Sequence, residues 1–243
     1  MHDEDLGLGL RPGDNHYRAY VGPPADYDLI ANLTTSLLLC LGLRENHELL
    51  DLGCGSLRVG RLLIPYLRPG HYTGLEPNRW LVEDGIRNNL GDELVALREP
   101  HFLYNADFDI SANGTSYDFV LAQSIFSHTH ARLMRSALAM LRRGIRAQGV
   151  LIATYVEGPR ESEADGNEWV YPAITPLSWS TVESALNDVG LAARQLDWPH
   201  PRQRWFVASP SDDVAGALAG VRRPFEGNRS APKAVPFAQN GDS

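Results

Sequence analysis

The stretch His47-Glu48-Leu49-Leu50-Asp51-Leu52-Gly53-Cys54-Gly55-Ser56-Leu57-Arg58 runs a short apolar segment into an acid, then a glycine-spaced turn, then helix-forming residues. Gly53 and Gly55 can take backbone angles closed to other residues and carry no Cβ to hold a ligand away. The unpaired N–H groups at the start of the helix that follows face the same space. A turn of this kind brings backbone close to a small polar ligand. Further on, the apolar pattern His71-Tyr72-Thr73-Gly74-Leu75 ends on Glu76, 25 residues after Asp51.

Two ligand classes compete for such a turn. A dinucleotide fold wants a third small residue, as in Gly-x-Gly-x-x-Gly, so that the helix can pack on the strand beneath the pyrophosphate. Arg58 stands at that position and fits it poorly. The run Asp51-x-Gly53-x-Gly55 with the strand-end acid Glu76 instead resembles the cofactor signature of class I S-adenosylmethionine-dependent methyltransferases. S-adenosyl-L-methionine has no phosphate, so no lysine is needed in the turn. Its carboxylate suits a helix N-terminus, and its ammonium and sulfonium suit an acid such as Asp51. Glu76 would accept from both ribose hydroxyls. Taken singly, Asp51 could equally cap the turn and Glu76 could be a solvated strand end; their joint placement at strand ends favours the ligand reading. Cys54 enters only as a small residue of the bend.

Composition bounds the remaining possibilities. The chain has 243 residues, 43% of them hydrophobic and 21% charged, which suits one domain with a substantial core. With 22 basic and 30 acidic residues the formal charge is −8, which disfavours polynucleotide and anionic-membrane partners. Cys40 and Cys54 have no spacing that reads as zinc or redox chemistry. The acidic start Met1-His2-Asp3-Glu4-Asp5 lacks the pattern of a secretory signal, so the cytoplasm is the expected compartment.

Along the chain, residues 1–16 read as a flexible N-terminus and 211–243 as a mobile tail with at most one short helix. Leu29 to Leu43 reads as a helix with Leu29, Ile30, Leu33, Leu37, Leu38 and Leu41 on its apolar face. Strands are predicted at 48–52, 71–75, 101–105, 117–122 and 150–156. Helices are predicted between them at 56–67, 79–90 (with Asn78 as its cap) and 129–143. The stretch 157–176 breaks the pattern with Gly, Pro and acids around Trp169 and Tyr171, as a functional loop would. A helix capped by Ser178 or Ser180 and two strands, 191–198 and 204–209, close the domain. The closing hairpin strengthens the resemblance. It implies an α/β, Rossmann-like three-layer sandwich over residues 17–210 with an N-terminal helical cap. Its sheet would have seven strands, mostly parallel, in the order 3-2-1-4-5-7-6 with the last strand antiparallel.

Ligands of open α/β sheets sit past the carboxyl ends of the strands. The resemblance therefore implies a cofactor site made of Asp51, Gly53, Cys54, Gly55, Ser56, Glu76, Pro77, Asn78, Asp107, Phe108, Gln123 and Ser124, with Asp107 taking the adenine amine and Phe108 lying on the ring. Methyl transfer from a sulfonium needs mainly alignment and dryness. A hydroxyl acceptor also benefits from a base near neutral pKa, for which His128 is the first candidate, His130 the second and His16 a weaker third. Capping or solvent exposure would explain each histidine equally well. No Asn/Asp-Pro-Pro-Tyr run follows strand four, no Pro-Cys nucleophile is present, and neither Gln123 nor Ser124 is the acid of the metal-dependent catechol type. The expected activity is metal-independent O-methylation of a small polar acceptor, a saccharide or secondary metabolite. Tyr17, Tyr20 and Tyr27, with Trp169 and Tyr171, are candidates for its wall. The alternatives are a non-catalytic S-adenosylmethionine-binding regulator and, disfavoured by Arg58, an NAD(P)-binding oxidoreductase.

Overall fold

The computed structural model describes residues 6–111, 114–159 and 168–219. In chain order its elements are α1 (Tyr27–Cys40), β1 (Leu49–Leu52), α2 (Gly60–Tyr66), β2 (Tyr72–Leu75), α3 (Arg79–Gly85), α4 (Asp92–Arg98), β3 (His101–Leu103), β4 (Tyr117–Ala122), α5 (Ala131–Gly144), β5 (Ile145–Tyr155), α6 (Trp179–Asp188), β6 (Ala192–Leu196), β7 (Arg204–Ser209) and α7 (Asp212–Ala219). The strands form one sheet in the order β3-β2-β1-β4-β5-β7-β6. β1 pairs in parallel with β2 and β4, β2 with β3 and β4 with β5, while β7 runs antiparallel to β5 and β6. This is the expected Rossmann-like topology. Its order reverses between β1 and β4, which puts the ligand crevice at their carboxyl ends.

The central strands are apolar throughout because both faces of the sheet are covered. On one face Leu50, Leu52, Val120, Ala122 and Leu151 pack with Met134, Leu138 and Leu141 of α5 and Val182 and Leu186 of α6. On the other, Leu49, Leu121 and Ile152 meet Leu37 and Leu38 of α1, Leu63 and Ile64 of α2, and Trp205. Strand alternation decides which residue meets which layer. α5 buries Ala131, Met134, Ala137, Leu138 and Leu141 while its last turn carries Arg142 and Arg143.

Several boundaries differ from the sequence reading. α1 begins at Tyr27 and buries Tyr27, Ile30, Ala31, Thr34, Leu37 and Leu38, leaving Leu29 exposed. It ends before Gly42, whose φ of +99° lets Leu43 N donate back to the Leu38 carbonyl at 2.9 Å. The helix expected over 79–90 is α only to Gly85 and continues as a π turn over Ile86–Leu90. α4 buries no residue and exposes Leu97, so no amphipathic stripe announced it. β5 starts at Ile145 rather than Val150, with a register shift against β4 between Tyr117 and Phe119. Ser178 caps α6, accepting from Thr181 N at 3.3 Å. The short helix expected after 210 is α7, and the rest of the expected tail lies outside the described residues.

Candidate cofactor site

A cavity of about 280 Å³ opens past the carboxyl ends of the central strands. Leu52, Gly53 and Gly55 line it from the end of β1, and Leu75, Glu76, Pro77 and Asn78 from the end of β2. Asn105, Ala106 and Phe108 follow β3, and Gln123, Ser124, Ile125 and His128 follow β4. Leu81 and Leu133 reach in from α3 and α5, Tyr20, Val21, Trp169 and Tyr171 close the mouth, and Arg58 borders the bend.

The bend works as its glycines require. Gly53 has φ +68° and Gly55 φ +54°; a Cβ would stand 2.1 Å from Ile125 Cδ1 in the first case and 2.6 Å from Val21 Cγ1 in the second. Gly53 N and Cys54 N both donate to the Leu75 carbonyl, at 2.7 and 3.1 Å, tying the bend to β2. Two non-glycine residues that line the cavity are also left-handed, Phe108 (φ 61°) and Ser124 (φ 60°), as is Leu57 (φ 58°) just after the bend. Such conformations cost energy and persist where surrounding structure fixes them, as at ligand sites. Ser124 is held by its N–H on Thr154 Oγ1 at 2.8 Å.

Glu76 is 7% exposed and is the hub of the β2 side. Its Oε2 accepts from Gly55 N at 3.1 Å, and its Oε1 accepts from Asn78 N and Asn78 Nδ2, both at 2.9 Å. Burial raises its pKa, against these three hydrogen bonds. The Asn78 side chain thus serves Glu76 rather than capping α3, where it makes no side-chain cap bond. A carboxylate offers about four acceptor positions. With three taken, room remains for about one more donor, fewer than the two ribose hydroxyls anticipated.

Five expected residues do not line the cavity. Asp51 shares the face of Leu49, is 4% exposed, and its Oδ2 accepts from the Tyr72 hydroxyl at 2.8 Å. Burial pushes its carboxyl up to about 6, with Tyr72 opposing. Cys54 is buried on that same side among Leu57, Val59 and Tyr72. Ser56 is fully buried, its Oγ 3.2 Å from the Tyr27 hydroxyl. Asp107 is exposed, and Asn105 and Ala106 face the cavity in its place. His130 sits at the N-cap of α5, its Nδ1 buried without a partner. His16 lies outside the cavity too, in a polar groove with Tyr17, Arg18 and Arg61.

The raised pKa of the buried Asp51 carboxyl carries a stability prediction. Because its folded pKa lies above its unfolded value, the native state binds the extra proton between about pH 4 and 6, and Asp51's contribution to stability falls as pH rises through that window. Asp51→Asn keeps an acceptor for Tyr72 without the charge. At pH 7 it is expected to be more stable than the wild type by on the order of 1–3 kcal/mol, the gap closing below about pH 4. Urea unfolding at several pH values checks this; a pH-independent gap contradicts it.

At the mouth, His128 is fixed by residues 170–175 of the loop that follows β5. Val170 N donates to the His128 carbonyl at 2.9 Å and Thr175 N to that of Ser127 at 2.8 Å, bringing the Ala173 carbonyl 2.7 Å from His128 Nδ1. Nδ1 must donate there, so the neutral ring carries its lone pair on Nε2. Burial lowers the His128 pKa, against that bond. The ring stands edge-on to Tyr171 at 4.8 Å and tilted to Trp169 at 5.9 Å. Tyr20 packs on Tyr171 at 5.5 Å and on Trp80 at 5.2 Å, and the Tyr171 hydroxyl donates to the Tyr20 carbonyl. Tyr17 and Tyr27 are not part of this wall; Tyr27 is buried beneath Arg18 and Arg61.

Two groups escaped the sequence reading. Arg58, considered only as an obstacle to a dinucleotide, lines the cavity and is 6% exposed. On the β6–β7 connection, His200 Nδ1 accepts from Arg202 N at 3.1 Å and Gln203 N at 2.9 Å, and its Nε2 lies 3.5 Å from Gln123 Nε2. Burial beside Arg58 and Arg202 lowers the His200 pKa to about 4, so the ring is neutral. Gln203 Nε2 donates to Ser124 Oγ at 2.7 Å. The antiparallel hairpin therefore supports the loop after β4, a long-range contact without a local signal.

Residues 50–151 match the family model described as a methyltransferase domain. No curated protein matches the sequence. Similar solved structures include magnesium protoporphyrin IX methyltransferase from Synechocystis PCC 6803 with bound SAM, at TM-score 0.60 and 14% identity over 86% of this chain and 91% of that one. The mitomycin 7-O-methyltransferase MmcR aligns at TM-score 0.58 and 16% identity over 80% of this chain and 56% of that one. DesVI from Streptomyces venezuelae aligns at TM-score 0.55 and 18% identity over 87% and 99%. The matched segment spans the glycine bend and the strands that build the cavity, and the solved structures share the fold; the chain carries a methyltransferase domain over residues 50–151 on a Rossmann-like sheet of order 3-2-1-4-5-7-6.

Proposed function

We propose that the chain is a class I S-adenosylmethionine-dependent methyltransferase that methylates an oxygen of a small polar acceptor, a saccharide or secondary metabolite, without a metal, with the cofactor across the ends of β1 and β2. The residues present fit the cofactor: Gly53 and Gly55 allow close approach, Glu76 retains acceptor capacity for the ribose, and Phe108 offers an apolar surface for the adenine. Bound there, S-adenosylmethionine supplies a methyl group on a sulfonium that is already a good leaving group.

The observation that carries the acceptor reading is His128. Its Nδ1 is engaged by Ala173, its ring is neutral, and its Nε2 lone pair is available at the aromatic mouth to take the proton of an attacking hydroxyl. Tyr20, Tyr171 and Trp169 offer flat faces to a ring-bearing acceptor and exclude water from the crevice. No carboxylate stands at Gln123 or Ser124 to hold a divalent ion beside that hydroxyl. A mitomycin O-methyltransferase among the structural neighbours is consistent with an oxygen acceptor on a small ring molecule.

The experiment is transfer of labelled methyl from S-adenosylmethionine to a panel of hydroxylated sugars and phenols, with amines and polynucleotides alongside. Methyl ethers are the expected products. Label on amine nitrogen, on carbon or in nucleic acid overturns the reading.

A further inference from the structure

Resting on the cofactor placement proposed above, we propose that Arg58 is the receptor for the carboxylate at the amino-acid end of the cofactor, in place of a helix N-terminus. A helix beginning at Ser56 was expected to meet that carboxylate, but residues 56–59 form turns and α2 begins only at Gly60. Val59 and Gly60, its cap and first residue, are buried and do not line the cavity. The exposed helix dipole that the chemistry calls for is therefore missing, and the side chain that borders the bend is a guanidinium.

The surroundings of Arg58 suit an anionic ligand. Its Nη1 donates to the Val21 carbonyl at 2.8 Å and its Nη2 to Gln123 Oε1, both neutral acceptors. Its Nε is buried with no partner. Among the described residues no carboxylate oxygen lies within ion-pair distance, although ten other ion pairs are present. The charge of the buried Asp51 reaches Arg58, but its carboxylate is held by Tyr72 and makes no ion pair with the guanidinium. Burial pulls the Arg58 pKa down to about 10, which leaves it charged at neutral pH. A buried cation without a counter-ion is costly, and a carboxylate entering the cavity would remove that cost. The position agrees: Arg58 lines the same cavity as Glu76 but bonds to Val21 and to Gln123 after β4, whereas Glu76 ends β2 and bonds to Gly55 and Asn78. The two side chains would then read opposite ends of the ligand, a planar cation for the carboxylate and an acid for the ribose.

The test is calorimetric and needs no acceptor. S-adenosylhomocysteine and its decarboxylated analogue are titrated into wild type, Arg58→Met and Arg58→Lys. Wild type is expected to prefer the carboxylate-bearing ligand by about 10- to 150-fold, the range of a charge-assisted bond. Arg58→Met is expected to lose that preference to within about 3-fold by weakening only S-adenosylhomocysteine, while Arg58→Lys, which keeps the charge, restores part of it. Equal weakening of both ligands in Arg58→Met means a structural role, and an undiminished preference means another carboxylate site; either overturns the assignment. If Arg58→Met does not fold, Arg58→Lys decides alone: a reduced preference is expected and an unchanged one overturns the proposal. Failure of both ligands to bind wild type would instead sink the cofactor placement itself.

Discussion

His128→Gln is expected to lower turnover by about 10²- to 10⁴-fold while changing S-adenosylhomocysteine affinity by less than about 2-fold. The first number is the usual contribution of a positioned base, about 2.7–5.5 kcal/mol of barrier. The second follows because His128 packs on Trp169 and Tyr171 and its ring bonds to the Ala173 carbonyl, while the Glu76 carboxylate is held by Gly55 and Asn78. The same placement fixes the pH dependence. His128 acts when neutral, and burial lowers its pKa below the ordinary value of about 6.5. Turnover is therefore expected to rise with pH along a limb below 6.5 and to be flat through pH 7, and the variant should lose that limb. Full turnover in the variant would show that alignment alone carries the transfer.

Glu76→Ala is expected to weaken S-adenosylhomocysteine binding by about 10- to 150-fold, or about 1.5–3 kcal/mol. Two effects combine here. The substitution removes the acceptor for the ribose, and it leaves Gly55 N–H and Asn78 N–H without the carboxylate that aligns them. An analogue lacking the ribose hydroxyls separates the two. Against wild type it should bind more weakly than S-adenosylhomocysteine, and against Glu76→Ala the two ligands should bind alike, since the partner of the hydroxyls has gone. An affinity unchanged by the substitution would place the ribose elsewhere.

The fold was legible because its signals are local and periodic. The runs at Leu49–Leu52 and Tyr117–Ala122 are short, apolar and bounded by turn signals, as strands buried on both faces are, and Met134, Ala137, Leu138 and Leu141 recur at helical spacing. α4 was not legible, because it buries nothing and so leaves no period. At the site, Gly53, Gly55, Glu76, Pro77, Asn78, Phe108, Gln123, Ser124 and His128 were read as neighbours from their positions at strand ends, and all line one cavity. Asp51, one residue before the end of β1, was misread because strand alternation turns it to the opposite face, where Tyr72 takes it. Ser56 was misread because the chain continues through turns before α2 begins, which hands its side chain to Tyr27. Arg58, His200 and Gln203 needed the tertiary structure, since their partners lie 37 to 79 residues away in sequence.

The cofactor is expected to cross the ends of β1 and β2 with its sugar on Glu76. A crystal structure with S-adenosylhomocysteine measures this directly. A ribose hydroxyl within hydrogen-bond distance of Glu76, the carboxylate on Arg58 and the sulfur turned toward the His128 side of the cavity are expected. Density for the ligand outside this cavity, or Glu76 turned out of it, would contradict that placement.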